Sequence, residues 1–339
     1  MDDSHDIRVL AGQRLMLGFD GTQFNSDLAY IIGTLKAGGI ILFSRNVDHP
    51  GQVKTLCRDC QAYARQCGLP PLIISVDQEG GTVARLKDGF TRFKGNPHIH
   101  TVEEARHFAD TTAKELKAVG VNMNLAPVLD IVPSGMASVM KDRAFKGGEK
   151  TVSKLGLEVI QTLQSQGIMA VAKHFPGIGR TVLDSHFHLP TLDLPLDILE
   201  QSDLIPFSDA IGAEVSGVLL SHIFYSRLDT DWQASLSPVI ADDLLRGKLG
   251  YDGIVMTDDL DMKAIGHDME TCIHQILKSR IDMALICHKG PNIDIAADTV
   301  QRLLKEDPVL YEAGRQSYNR IIGAKTTYLN FTAEDKKKD

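Results

Sequence analysis

A basic excess, a disulfide-scale complement of cysteine, aromatic richness and long apolar runs are all missing from this 339-residue chain. Lys and Arg total 36 against 44 Asp and Glu, a formal charge of −8, so no general nucleic-acid or anionic-membrane surface is expected. No run of about 18 apolar residues occurs, which argues against a membrane-spanning helix. The start, MDDSHDIRVLAGQ, has neither the basic end nor the apolar stretch of a secretory signal. Five cysteines, an odd number in a long chain, suit a reducing compartment rather than a disulfide framework. Cys57, Cys60 and Cys67 fall in LCRDCQAYARQC, which reads as one helix with no second ligand pair to complete a tetrahedral zinc site. The expectation is a cytoplasmic globular protein, with residues 331–339, which contain the only basic run, as a disordered tail.

What is present is enough to build a large core, since 43% of residues are hydrophobic and 24% charged. Short apolar runs recur along the chain: QRLMLGF (13–19), GIILF (39–43), LIISV (72–76), NMNLAP (122–127), IMAVA (168–172), GVLLS (217–221), GIVMT (253–257) and MALIC (283–287). Between them lie stretches with apolar residues at three- and four-residue spacing, such as VEEARHFADTTAKELKAVG. Near-continuous apolar strands alternating with helices predict a parallel sheet covered on both faces. Eight such units predict a single (β/α)₈ barrel over residues 1–330. A doubly wound open sheet is the alternative, but LGFDGTQF stands where its glycine-rich phosphate loop belongs.

Polar residues gather at the carboxyl ends of these runs, where a barrel places its active site. The stretch KHFPGIGRTVLDSHFHLP (173–190) begins with Lys173 and His174 and carries Asp184 two residues before His186. That spacing lets an aspartate hold one imidazole nitrogen and leave the other for proton transfer. GIVMTDDLDM places Asp258 first beyond the seventh run, with Asp259 and Asp261 read as helix-capping groups. DQEGGTVARL offers Asp77 as an acceptor and Arg85 as a planar donor fork suited to sugar hydroxyls, or else a salt-bridged turn. The histidines at 174, 186, 188 and 222 make no recognised zinc spacing, and neither His188 nor His222 receives a role.

These segments together resemble the bacterial β-N-acetylglucosaminidases of glycoside hydrolase family three. The family usually reads KHFPGHG followed by DSH, DQEGGxVxR, N-x-APV-x-D, G-DR-S-FG and S/T-D-D/W. The chain matches with DQEGGTVAR, NLAPVLD, KDRAFKG, the DSH loop and TDD, but Ile178 replaces the middle His of GHG and Arg180 follows it. The resemblance implies Asp258 as nucleophile and His186 with Asp184 as acid–base pair. It implies Asp77, Arg85, Arg143, Lys173 and His174 as ligands of one terminal sugar. It further implies retaining exo-hydrolysis of β-linked GlcNAc, in peptidoglycan fragments carrying 1,6-anhydro-N-acetylmuramic acid; the sequence does not fix the oligomeric state, with a monomer favoured. No metal, nucleotide or flavin cofactor and no nucleic-acid or membrane partner is implied. A phosphorylase of the same family and a catalytically silent sugar-binding protein stay open as alternatives.

Overall fold

The structure is a computed structural model and describes residues 6–182 and 189–331. Eight parallel strands close into a barrel: β1 Leu15–Leu17, β2 Gly39–Leu42, β3 Ile73–Val76, β4 Met123–Asn124, β5 Met169–Phe175, β6 Gly217–Leu220, β7 Ile254–Asp259 and β8 Met283–Ile286. Their order around the barrel follows the chain, and β1 pairs with β8 to complete the ring. Closure rules out the open-sheet alternative.

Strand alternation explains why the apolar runs are nearly continuous. Met16, Ile41, Ile73, Met169, Val171, Leu219, Met256, Met283 and Leu285 point into the barrel and form one core. Their neighbours Leu17, Ile40, Leu42, Ile74, Ala170, Ala172, Val218, Val255 and Ile286 point outward and pack in a second core that also takes the buried faces of the helices. Truncating an inward Met or Leu to Ala is worth roughly 2–5 kcal/mol in such a setting.

The helices start and stop where local chemistry directs. Val102–Val119 begins in a capping box between Thr101 and Glu104 and ends at Gly120 in the left-handed region. Pro50–Gln66 carries Cys57 and Cys60 on its buried face, and all five cysteines are free. The final helix, Pro308–Leu329, crosses the amino end of the barrel and pushes Ile321 into the interior core. No helix among the described residues is long and apolar enough to cross a membrane.

Two local expectations change. The run at 122–127 forms a strand only over Met123–Asn124, after which the isolated bridge from Val128 to Lys173 continues the ladder. No helix begins at DLDMKAI. A short 3₁₀ turn spans Lys263–Ile265, and the next helix starts at Met269 behind the Asp268 cap. Asp259 and Asp261 therefore do not cap a helix. Asp259 accepts from the backbone of Asp261 and Cys287, and Asp261 from the backbone of His288, tying the end of β7 to β8.

Candidate active site

At the carboxyl end of β3 the chain turns through a small hairpin, Gln78–Gly80 with Val83–Ala84. Gly81 permits this turn: its φ is +62°, and a Cβ there would lie 2.8 Å from the Lys94 carbonyl oxygen. The hairpin brings Asp77, Glu79 and Arg85 to the barrel mouth beside Lys173 from β5 and Arg143 from the loop after β4. Lys173 Nζ donates to Asp77 Oδ1 at 2.7 Å and lies 2.6 Å from Glu79 Oε1. Arg85 Nη2 donates to Asp77 Oδ2 at 3.2 Å. Arg143 grips Glu79 with two bonds, Nη2 to Oε1 at 2.7 Å and Nε to Oε2 at 3.0 Å.

Burial grades this network. The Lys173 and Glu79 side chains are 3% and 2% exposed, whereas Asp77, Arg143 and Arg85 keep 14%, 22% and 29%, so these three present the edge open to a ligand. Burial alone would raise both carboxyl pKa values. The Lys173 ammonium, joined by Arg85 at Asp77 and by Arg143 at Glu79, outweighs it and holds both below their usual range. Burial likewise works against the charge on Lys173 and Arg143, and the two carboxylates reverse it, raising both. Asp77, Glu79, Lys173 and Arg143 are thereby held in their ionised forms near neutrality, and neither carboxylate has a proton to give.

His174 follows Lys173 on β5. Its Nδ1 lies 2.7 Å from Asp130 Oδ2, and its Nε2 lies 3.3 Å from Arg143 Nη2. A carboxylate only accepts, so Nδ1 is placed to donate to Asp130, while Nε2 faces a guanidinium, which only donates. Asp130 is completely buried and also accepts from the Ile178 backbone N–H at 2.7 Å. It is the final residue of the NLAPVLD segment, to which the sequence reading assigned no role. Glu79, inside the DQEGG segment, enters the sequence reading only as the first place to seek the acid should His186 not be it.

Asp258 ends β7 on the neighbouring side of the mouth. Its Oδ1 accepts from the Asp259 backbone N–H at 2.9 Å. Burial opposes its ionisation, while positive charge on His222 or His174, that N–H and the Lys173 ammonium act the other way and hold its pKa below the usual range. His222, at the end of β6, was missed by the sequence reading. Its Nε2 donates to the Asp259 carbonyl at 2.8 Å, which leaves Nδ1 to accept from Ser235 Oγ at 2.7 Å. Burial lowers the His222 pKa and favours this neutral form. The only local signal for His222 was its position at a strand end.

The two departures within KHFPGIGR have identifiable contacts. Ile178 is buried and contributes its backbone N–H to Asp130, while Arg180 Nε donates to Asp203 at 3.0 Å and its Nη2 to Ser202 Oγ at 3.0 Å. Gly179 between them packs so tightly that a Cβ would fall 2.0 Å from the Ile131 carbonyl oxygen. Asp184 and His186 lie outside the described residues. The structure thus brings Asp77, Arg85, Arg143, Lys173, His174 and Asp258 to one mouth: five groups linked through Glu79, and Asp258 at the end of β7.

Residues 7–322 match the Glycosyl hydrolase family 3 N terminal domain. The chain is 33% identical over 302 residues to the Beta-hexosaminidase of Pseudomonas aeruginosa, covering 87% of this chain and 88% of that protein. Among solved structures, a glycoside hydrolase family 3 beta-N-acetylglucosaminidase from Paenibacillus superposes with a TM-score of 0.91 at 33% identity, over 97% of this chain. This chain spans only 64% of that longer protein. The Beta-N-acetylhexosaminidase of Beutenbergia cavernae superposes with a TM-score of 0.87 at 26% identity, covering 96% of this chain and 100% of the other.

Proposed function

The chain belongs to glycosyl hydrolase family 3 and is a glycoside hydrolase, and from that premise we propose that it is a retaining exo-β-N-acetylglucosaminidase. Names of relatives at this identity support release of terminal GlcNAc. The substrate we assign is the peptidoglycan fragment in which GlcNAc is joined to 1,6-anhydro-N-acetylmuramic acid, with or without peptide. We assign the reaction to the cytoplasm and to a monomer; five free cysteines suit a reducing compartment.

In this reading Asp77, Arg85, Arg143, Lys173 and His174 enclose the terminal sugar. The exposed edges of Arg85 and Arg143 meet its hydroxyls, while Lys173 and Glu79 hold those edges in place from below. Asp258 is ionised, with Oδ1 held by a backbone N–H, and its other oxygen forms the bond to the anomeric carbon as the glycosidic C–O bond breaks. The departing oxygen takes a proton from His186, whose imidazole Asp184 orients. His186 then removes a proton from the water that cleaves the glycosyl–Asp258 ester.

The observation that carries the assignment of the acid is the ionisation of the β3 side of the mouth. Glu79 is the first carboxyl group to consider as a proton donor. Two cations hold it unprotonated beneath the surface, and His174 turns its Nδ1 toward Asp130. A histidine acid, with an unperturbed pKa of about 6.5, needs no burial to hold a proton near neutrality.

The test is hydrolysis of chromogenic β-GlcNAc and β-glucose substrates with and without phosphate, in wild type and His186→Ala. Free GlcNAc should appear in both buffers, and the variant should lose activity most on substrates with poor leaving groups. Formation of sugar 1-phosphate would identify a phosphorylase. Equal loss across all leaving groups would make His186 a positioning residue.

A further inference from the structure

We propose that Asp259, Asp261 and His288 form a divalent-cation site at the barrel mouth, with zinc(II) the best match. The site is distinct from the sugar-binding cluster and from Asp258. Its ligand atoms would be one oxygen of each carboxylate and His288 Nδ1, and all lie within 4.8 Å of one another.

Geometry is the first support. His288 Nδ1 lies 3.5 Å from Asp259 Oδ2 and 3.6 Å from Asp261 Oδ2. Both distances exceed the hydrogen-bond range of about 2.7–3.2 Å, so no direct hydrogen bond joins the ring to either carboxylate. They agree with the edge of a tetrahedron around an ion whose bonds to N and O are about 2.0–2.2 Å. Three protein ligands leave a fourth position for water, and a mixed imidazole–carboxylate set favours zinc over magnesium or calcium, which prefer oxygen ligands alone.

The outer contacts are the second support. Asp259 Oδ1 is occupied by the Asp261 and Cys287 backbone N–H groups at 3.0 and 3.1 Å, which leaves Oδ2 turned toward His288. Asp261 Oδ1 accepts from Asn292 Nδ2 at 2.8 Å, and its Oδ2 takes the His288 N–H at 2.9 Å. The carboxylates are thus oriented by groups that would not themselves bind the ion. The His288 ring packs beside Phe43, with centroids 6.4 Å apart and planes inclined by 29°.

Charge is the third. Asp258, Asp259 and Asp261 put three carboxylates within four residues, while nearby cations are engaged elsewhere: Arg45 with Asp20, Lys289 with Asp27, and Lys173 with Asp77 and Glu79. Because Asp259 adjoins Asp258, occupancy should also slow turnover. That consequence rests on the reading of Asp258 above, but binding itself does not.

The experiment titrates the metal-stripped full-length chain with Zn²⁺ by calorimetry and with Co²⁺ by visible absorption. Saturable binding is expected in wild type, with Co²⁺ giving the intense visible bands of low coordination number. His288→Ala and Asp261→Asn should each weaken it by at least about tenfold, and Asn292→Ala by less, as outer-shell losses do. Thermal melts identify any variant that fails to fold, and Asn292→Ala, which leaves all three ligands in place, then supplies the comparison. Absence of saturable binding in wild type, or unchanged affinity in the folded variants, would overturn the site.

Discussion

Both ends of the barrel bury charge, yet they use it differently. At the amino end Asp282 is fully buried and accepts from Arg246 Nη2 at 2.6 Å, Arg320 Nε at 3.0 Å and the Val255 N–H at 2.8 Å. Arg14 donates to the Ile281 carbonyl at 2.6 Å, and burial pushes its pKa down to about 10 despite Asp282 nearby. Lys325 reaches from the final helix to Gln13 Oε1 at 2.6 Å and the Gly38 carbonyl at 2.9 Å. This network stitches strand starts to the helix that covers them. At the carboxyl end the same residue types are linked as tightly, but Arg85, Arg143 and Asp77 keep an accessible edge. Buried, perturbed charge does not therefore mark a site by itself. Its position at the carboxyl ends of the strands, together with an unsealed edge, is what separates the two.

Substitutions at the two ends should separate accordingly. The largest effect belongs to Asp258→Ala, which should lower kcat by at least about 10³-fold with little change in melting temperature. Loss of cooperative melting would instead assign Asp258 to the scaffold. Glu79→Gln should affect both properties, because it strands the buried Lys173 and the partly buried Arg143. A stability loss of about 3–5 kcal/mol is expected, with a raised KM. The folded-state pKa of Glu79 is depressed, so its contribution is present above the unfolded value of about 4.3 and fades as pH falls below it. Denaturant melts from pH 7 to pH 3 should therefore show the gap between wild type and variant narrowing with acid. A gap that widens would contradict the ionised pairing.

Asp282→Asn tests the other end. It should cost comparable stability by leaving Arg246 without its counter-ion and Arg320 with only the exposed Asp252 at 3.6 Å, while kcat/KM of the folded enzyme stays within about twofold. A large kinetic defect would erase the distinction between the ends. Lys325→Met should give the smallest change, visible mainly in pH dependence. Burial lowers the Lys325 pKa to about 7, so between that pH and the unfolded value near 10.4 the unfolded chain binds the extra proton. Wild-type stability should gain a rising contribution across that window, and the variant should lack it.

The contrast also explains what could be read in advance. All eight barrel strands were legible because inward and outward apolar residues leave continuous runs between helical patterns, and both cores are visible as composition. Strand ends were less so: Asp259 and Asp261 looked like helix caps, but tertiary partners on β8 claimed them. Asp77, Arg85 and Lys173 could be placed from local motifs. Glu79, Asp130 and His222 could not be assigned, because their partners lie 64, 44 and 37 residues away and such bonds leave no local pattern. The convergence of His288 on Asp259 and Asp261 is likewise a product of β7 lying beside β8.

The most direct measurement is covalent trapping. Incubating the full-length enzyme with a 5-fluoro glycosyl inactivator built on GlcNAc, followed by peptide mass spectrometry, reports which carboxylate attacks the anomeric carbon. A single adduct on Asp258, prevented by a competing GlcNAc ligand, is the expected result. An adduct on Asp259 or Asp77, or turnover with no covalent intermediate, would contradict the assignment of Asp258 as nucleophile.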